Sequence, residues 1–192
     1  MQRRACITRL ATVAASALTL PGAVRAAAEP ALPPGLRAAG QGTLRVFGFS
    51  IYRARLWVSP GFEPAQWAAL PLALELEYLT SIRAEDIASR SLKEMRRVGE
   101  PKGEPNTEQA QRWQAALQAL LPDVRSGDKL IGWHRPAQGA LFLRGEQLLG
   151  EVAEPAFSRL FFGIWLSERT GAPELRQALL APLLAAAPGP RA

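Results

Sequence analysis

Between Leu72 and Val98 the hydrophobic pattern of this chain changes period. Leu72, Leu74, Leu76 and Tyr78 alternate with Ala73, Glu75, Glu77 and Leu79. That predicts a strand with one buried face and one wet face. From about Ala84 to Arg97 the spacing becomes helical, with Ile87, Ser91, Leu92, Met95 and Val98 on one side. Glu85 and Asp86 near the start and Arg96 and Arg97 near the end complement the helix dipole. A chain that alternates and then winds must bury a helix stripe against a sheet face.

The same switch recurs downstream. Asn106 or Thr107 can cap a second helix carrying Ala110, Trp113, Leu117, Leu120 and Leu121, which Pro122 stops. Lys129 to Arg135, Ala140 to Arg144 and Gln147 to Val152 are short strand-like runs separated by turn residues, so they read as a meander of hairpins. Glu154-Pro155 opens a third helix with Phe157, Leu160, Phe161 and Trp165. Ala172-Pro173 starts a fourth with Leu175, Leu179 and Leu183, which Pro182 is expected to kink or end. Ahead of all this, Leu44 to Phe49 and Ile51 to Val58 read as strands, with Gly48 as a bend or bulge. Strands, two helices, strands, two helices predict an α+β fold, with helices packed on one face of a largely antiparallel sheet.

The N-terminus reads differently. Arg3, Arg4 and Arg9 precede an apolar run from Ala11 to Leu20, and Val24-Arg25-Ala26 places small residues where a signal peptidase cuts. Residues 1–26 are thus expected to be a signal peptide and the domain periplasmic or secreted. The apolar run is too short to span a bilayer, and no later stretch approaches that length, so no stable membrane span is expected once the signal is removed. Ala27 to Ala39 is expected to be a flexible arm, 40–187 the domain and 188–192 a frayed tail.

Cleavage changes the charge and thiol content. The whole chain carries +6; the signal takes four arginines and no acid with it, leaving +2. Arginines scattered among acids predict no nucleic-acid partner. The sole cysteine, Cys6, also departs, so neither a disulfide nor thiol chemistry is expected.

Other chemistry is equally sparse. The one histidine, His134, has no second histidine or cysteine to share a metal, so no metal site is expected, and it reads as an ordinary strand residue. No Gly-x-Ser-x-Gly elbow or phosphate-binding loop occurs, and no cofactor is expected. Gly40-Gln41-Gly42 reads as a turn entering the first strand.

Several segments in order carry a resemblance. They are Gly40-Gln-Gly-Thr-Leu-Arg45, Ile51-Tyr-Arg-Ala-Arg-Leu-Trp57, Ser91-Leu-Lys-Glu-Met-Arg-Arg97, Leu121-Pro-Asp-Val-Arg-Ser-Gly-Asp128 and Phe161-Phe-Gly-Ile-Trp-Leu-Ser167. Together they resemble the bacterial chalcone isomerase-like proteins, a group of exported domains. The resemblance implies an open-faced sheet, helices on one side and a cleft between the layers. It also implies a strand arginine that stabilises an enolate in the plant enzymes, or holds a carboxylate with a tyrosine in fatty-acid-binding relatives. A guanidinium is permanently charged and bidentate toward two oxygens, which suits both tasks. Arg45 is the position match, and Arg37 fits the longer gap of the plant enzymes. The alternation Arg45, Phe47, Phe49, Ile51 would set the guanidinium beside an apolar face. Tyr52 and Tyr78, the only tyrosines, are the candidate phenol partners.

These residues support a non-catalytic binder of a small apolar ligand, with or without a fatty-acid-like carboxylate. The alternatives are an isomerase or intramolecular lyase acting on a chalcone-like enone, and an accessory protein using Trp57, Phe62 and Trp67 as a surface patch. The plant enzymes' asparagine has no counterpart beyond Asn106, read here as a helix cap. Ser91, Glu94 and Arg96 read as structural.

Overall fold

The computed structural model describes residues 34–185. The expected signal over 1–26, the first part of the expected arm and the expected tail lie outside the described residues.

Arg37–Val46 forms β1 and Phe49–Val58 forms β2. Strand structure therefore begins at Arg37, inside the stretch expected to be an arm. The two strands join through Phe47 and Gly48, whose φ values of 48° and 83° are both positive. Two positive φ angles are what a two-residue type I′ hairpin turn requires. The expected strand over Leu44 to Phe49 is thus cut by a turn, and Gly48 is its second central residue.

A short 3-10 segment, Pro64–Ala69, leads to β3, Leu72–Tyr78. Next come α1, Ala84–Gly99, and α2, Thr107–Leu120. The meander follows as β4, Lys129–Arg135, β5, Gly139–Arg144, and β6, Gln147–Val152. Two helices close the described chain: α3, Pro155–Leu166, and α4, Pro173–Ala185. All six strands form one antiparallel sheet in sequence order.

Register decides which side chains meet the helices. Leu56 stands opposite Leu74, and Leu74 opposite Gly132; Val58, Leu72 and His134 form the next row. These residues share the face on which α3 packs, against β4 and β5, while α4 lies on β1 and α2 reaches β6. Between the layers Phe142, Phe157, Phe161, Phe162 and Trp165 form a chain of edge and stacked contacts at 5.2–6.3 Å. Gly132 supplies the room, since a Cβ there would stand 3.1 Å from the Phe162 ring.

The other sheet face is less wet than the alternation in β3 predicts. Ala73 is fully buried and Glu75 is 4% exposed. Ala73 lies between Trp57 and Trp133 in the register, and Lys129 Nζ reaches Glu75 Oε1 at 3.3 Å. Long neighbours shield the sheet centre where no helix does.

Local hydrogen bonds explain the expected Asn106 cap and one of the quoted segments. Asn106 caps α2 in a full capping box, its side chain accepting from the Gln109 N–H at 2.9 Å. Leu121 to Asp128 is a structural clasp. Asp123 accepts the Ala84 N–H at the start of α1 at 2.8 Å, and Asp128 accepts the Arg125 N–H at 2.8 Å. That cap compensates for Arg83, which offers α1 no side-chain cap.

Gly40 and Gly42 lie inside β1 rather than in a turn before it. A Cβ on Gly40 would stand 2.6 Å from the Ala178 carbonyl oxygen and even closer to that of Leu179. The glycines let the strand press directly against α4. Pro182, four residues beyond Ala178, removes the N–H that would bond its carbonyl, yet α4 continues to Ala185. The helix survives the proline because only its last turn follows, with Leu179, Leu180 and Leu183 buried.

His134 is a buried strand residue with both ring nitrogens engaged. Nε2 lies 3.1 Å from the Ala68 carbonyl and Nδ1 lies 2.6 Å from Ser158 Oγ. The carbonyl can only accept, so Nε2–H donates to it and the Ser158 hydroxyl donates to Nδ1. The neutral ring ties β4 to the 3-10 segment and to α3, and burial lowers its pKa below 6.5.

Two outcomes follow. Gly40→Ala should destabilise the fold by about 2 kcal/mol in urea unfolding, through overpacking against α4. A depressed histidine pKa means that the unfolded chain binds the proton first as pH falls. Stability should therefore be unaffected by this group above 6.5 and decline just below it, before the carboxylates titrate. His134→Asn should remove that slope in unfolding measured across the same interval.

Candidate functional site

The register that builds the core also sets Tyr52 opposite Tyr78 at one end of the helix-facing side. Their rings meet edge to face at 6.0 Å. Trp165, in the last turn of α3, comes over them and donates its indole N–H to Tyr52 Oη at 2.9 Å. That bond fills an acceptor position of the hydroxyl and leaves the phenolic proton to be given elsewhere.

Burial pushes the Tyr52 phenol well above its ordinary range. The Trp165 bond and the nearby Arg90 charge pull the other way without cancelling it, and Glu94 adds to the rise. Tyr78 is raised by burial and then by its neighbour Tyr52. Both hydroxyls are therefore neutral donors across the physiological range.

The charged groups that bear on Tyr52 come from α1. Helical spacing sets Arg90 and Glu94 one turn apart on one side. Glu94 is 5% exposed and is held by Arg90 at 2.9 Å and by Arg97 at 3.3 Å. Gly171, in the loop between α3 and α4, passes so near that a Cβ there would stand 2.6 Å from Glu94 Oε2. Two guanidinium groups around one carboxylate leave the cluster with a net positive charge. Arg90 keeps 65% of its side chain exposed, so its head remains open to solvent.

The layer thins at this end. Leu44, Tyr52 and Ile87 are partly buried, whereas Leu56, Leu74 and Phe157 further in are fully covered. The deep cleft implied by the resemblance is occupied by the aromatic chain of α3 and by α4 against β1. What remains at this end is a partly buried edge of the apolar layer, where the Tyr52 hydroxyl lies beneath Trp165.

Tyr52 and Tyr78 are thus brought together, while Arg45 and Arg37 are not part of the group. Arg45 is exposed near the hairpin end of β1, and Arg37 is exposed at the start of the same strand. The alternation from Arg45 to Ile51 does not exist as one face, because Phe47 is in the turn and Phe49 and Ile51 belong to β2. Arg90 was not singled out, since nothing in the sequence ties it to a tyrosine 38 positions earlier. Its four-residue spacing to Glu94 was the available signal. Trp165 was read only as core; its buried N–H demanded a partner, and that demand was the missed clue.

The aromatic patch expected from Trp57, Phe62 and Trp67 is absent from the described surface. Phe62 is buried, Trp67 packs 6.0 Å from the His134 ring, and Trp57 is half-buried with the Arg55 guanidinium 5.8 Å over its ring. Two shallow, solvent-open depressions run beside α1, one lined by Arg96, Pro101 and Lys102 and the other by Ser89, Lys93 and Gln114. Neither includes Tyr52 or Trp165. Among the described residues no cluster of three or more histidine, cysteine, aspartate or glutamate side chains is arranged to hold a metal, and no helix is long and apolar enough to cross a membrane.

Comparison with known proteins fits this architecture. A family model described as chalcone isomerase-like matches residues 33–181. No curated protein matches the sequence. Among solved structures, the chain resembles a fatty-acid binding protein from Arabidopsis thaliana with a TM-score of 0.61 at 10% identity, covering 78% of this chain and 88% of that one.

Proposed function

The chain belongs to the chalcone isomerase-like family, and from that premise we propose that it is a non-catalytic binding domain for a small apolar molecule bearing a carboxylate. The observation that carries the reading is the Tyr52 hydroxyl. Its oxygen is occupied by the Trp165 N–H, its proton has no acceptor among the described residues, and it sits at the end of an apolar layer within the field of Arg90. A neutral phenol and a guanidinium together match one carboxylate, the phenol giving an O–H bond and the arginine a charge-assisted one. The apolar remainder of the ligand would lie along the partly buried Leu44, which pairs with Tyr52 across the hairpin. The resemblance in fold to a protein named for fatty-acid binding is consistent with this chemistry.

Two observations weigh against the alternatives. A lyase of the plant type would need a strand arginine fixed at the reacting oxygen, and Arg37 and Arg45 are both exposed. An accessory role through Trp57, Phe62 and Trp67 loses its surface, as Phe62 is buried. We also read residues 1–26 as an export signal, which would place the binder in the periplasm or outside the cell.

Titration calorimetry with a long-chain fatty acid and the alcohol of equal length tests the binding reading. The acid should bind more tightly than the alcohol. Arg90→Ala should weaken the acid by roughly ten- to a hundredfold, the range expected for a hydrogen bond to a charged group, and leave the alcohol unchanged. Equal affinities for acid and alcohol, or no binding of either, would contradict it. For export, protein recovered from the periplasm of a bacterial host should begin at Ala27 on N-terminal sequencing; an intact Met1 would refute the signal.

A further inference from the structure

The tip of the β1–β2 hairpin is made of side chains the fold does not use. Phe47 is 96% exposed, Phe49 74% and Val46 36%. Phe47 also occupies the first central position of the turn at a φ of 48°, in the left-handed region. That position favours Asn, Asp or Gly, and a bulky aromatic there is disfavoured. The chain therefore accepts backbone strain to hold an apolar ring in water. Folding gives no return for either cost.

The charge around the tip has one sign. From Arg37 to Val58 the hairpin carries Arg37, Arg45, Arg53 and Arg55 and no acidic residue. Arg53 is answered by Glu77 on β3 at 3.1 Å, but Arg45 is exposed one residue before the apolar tip. The tip extends past Tyr52 and Tyr78, the last pair between β2 and β3. A specific protein interface buries roughly 800 Å² on each partner, far more than a two-residue turn and its flanks present. A bilayer surface asks for no such complementarity. It accepts aromatic rings at the headgroup level and attracts arginine through anionic lipid.

We propose that the Val46–Phe49 tip docks on anionic lipid bilayers, with Phe47 and Phe49 entering the interface and Arg45 meeting the headgroup charge. The contact is peripheral. It stands on the hairpin alone and does not require a ligand at Tyr52. Where both hold, the tip brings Tyr52, on the same strand as Phe49, to the membrane surface.

Phe47→Asn separates docking from folding, because Asn suits the left-handed turn position that Phe47 strains. This variant should melt at the same temperature as the parent or higher. Full-length parent and variant would be sedimented with phosphatidylcholine vesicles, with and without phosphatidylglycerol. Since they share every other residue, their affinity ratio reports the tip. The parent should prefer the anionic vesicles, and Phe47→Asn should weaken that binding by about tenfold, as expected for losing one buried ring. Hydrogen exchange should show residues 46–49 protected by anionic vesicles in the parent. Equal affinities, tip amides that stay unprotected, or self-association of the parent that Phe47→Asn abolishes would overturn the proposal; the last would make the tip a contact between copies.

Discussion

The antiparallel register of β2, β3 and β4 is the constraint on which the rest depends. A strand shows opposite faces at successive residues, so a slip of one position would turn a whole hydrophobic row to the wrong side. The observed register sets Leu56, Leu74 and Gly132 in one row and Val58, Leu72 and His134 in the next. Gly132 then admits Phe162, and His134 meets Ser158, both on α3. Because α3 is fixed by the sheet in this way, its last turn carries Trp165 to Tyr52. The candidate site is an end product of core packing.

That origin explains why the site is small. The helix layer fills its own space with aromatic rings, and α4 closes on β1 through Gly40 and Gly42. An interior close-packed in this manner has no room for a ligand without displacing side chains. Apart from the buried His134–Ser158 pair, the polar groups of this face gather at the layer's edge, around Tyr52 and Glu94. There a neutral phenol, an indole and a net positive cluster around Glu94 meet the edge of the apolar layer. The same hairpin carries the exposed phenylalanines, so the two least conventional features of the surface share one element.

Much of this was legible in the sequence, and the exceptions have physical causes. Periodicity located the strands and helices because each must bury one face, and the Asn106 cap was readable from its side chain. The meander order followed from short turns between short runs. The hairpin turn at Phe47-Gly48 was missed because phenylalanine is a poor signal for a left-handed position. Gly40 and Gly42 read as a turn because glycine at a close approach looks the same in sequence as glycine in a loop. Ala73 and Glu75 read as wet because alternation describes one strand, whereas burial there comes from Trp57 and Trp133 on the strands either side. Tyr52 and Tyr78 could be named by scarcity, but their pairing needed the register and Arg90 needed the packing of α1. A site assembled from β2, α1 and α3 leaves no local motif.

A structure of the protein crystallised with a long-chain fatty acid tests the central claim most directly. One carboxylate oxygen should lie at hydrogen-bond distance from Tyr52 Oη, about 2.7 Å, with the Trp165 bond retained and the Arg90 guanidinium turned toward the other oxygen. An acid bound elsewhere, or a Tyr52 proton given to a backbone carbonyl with no acid beside it, would contradict this reading.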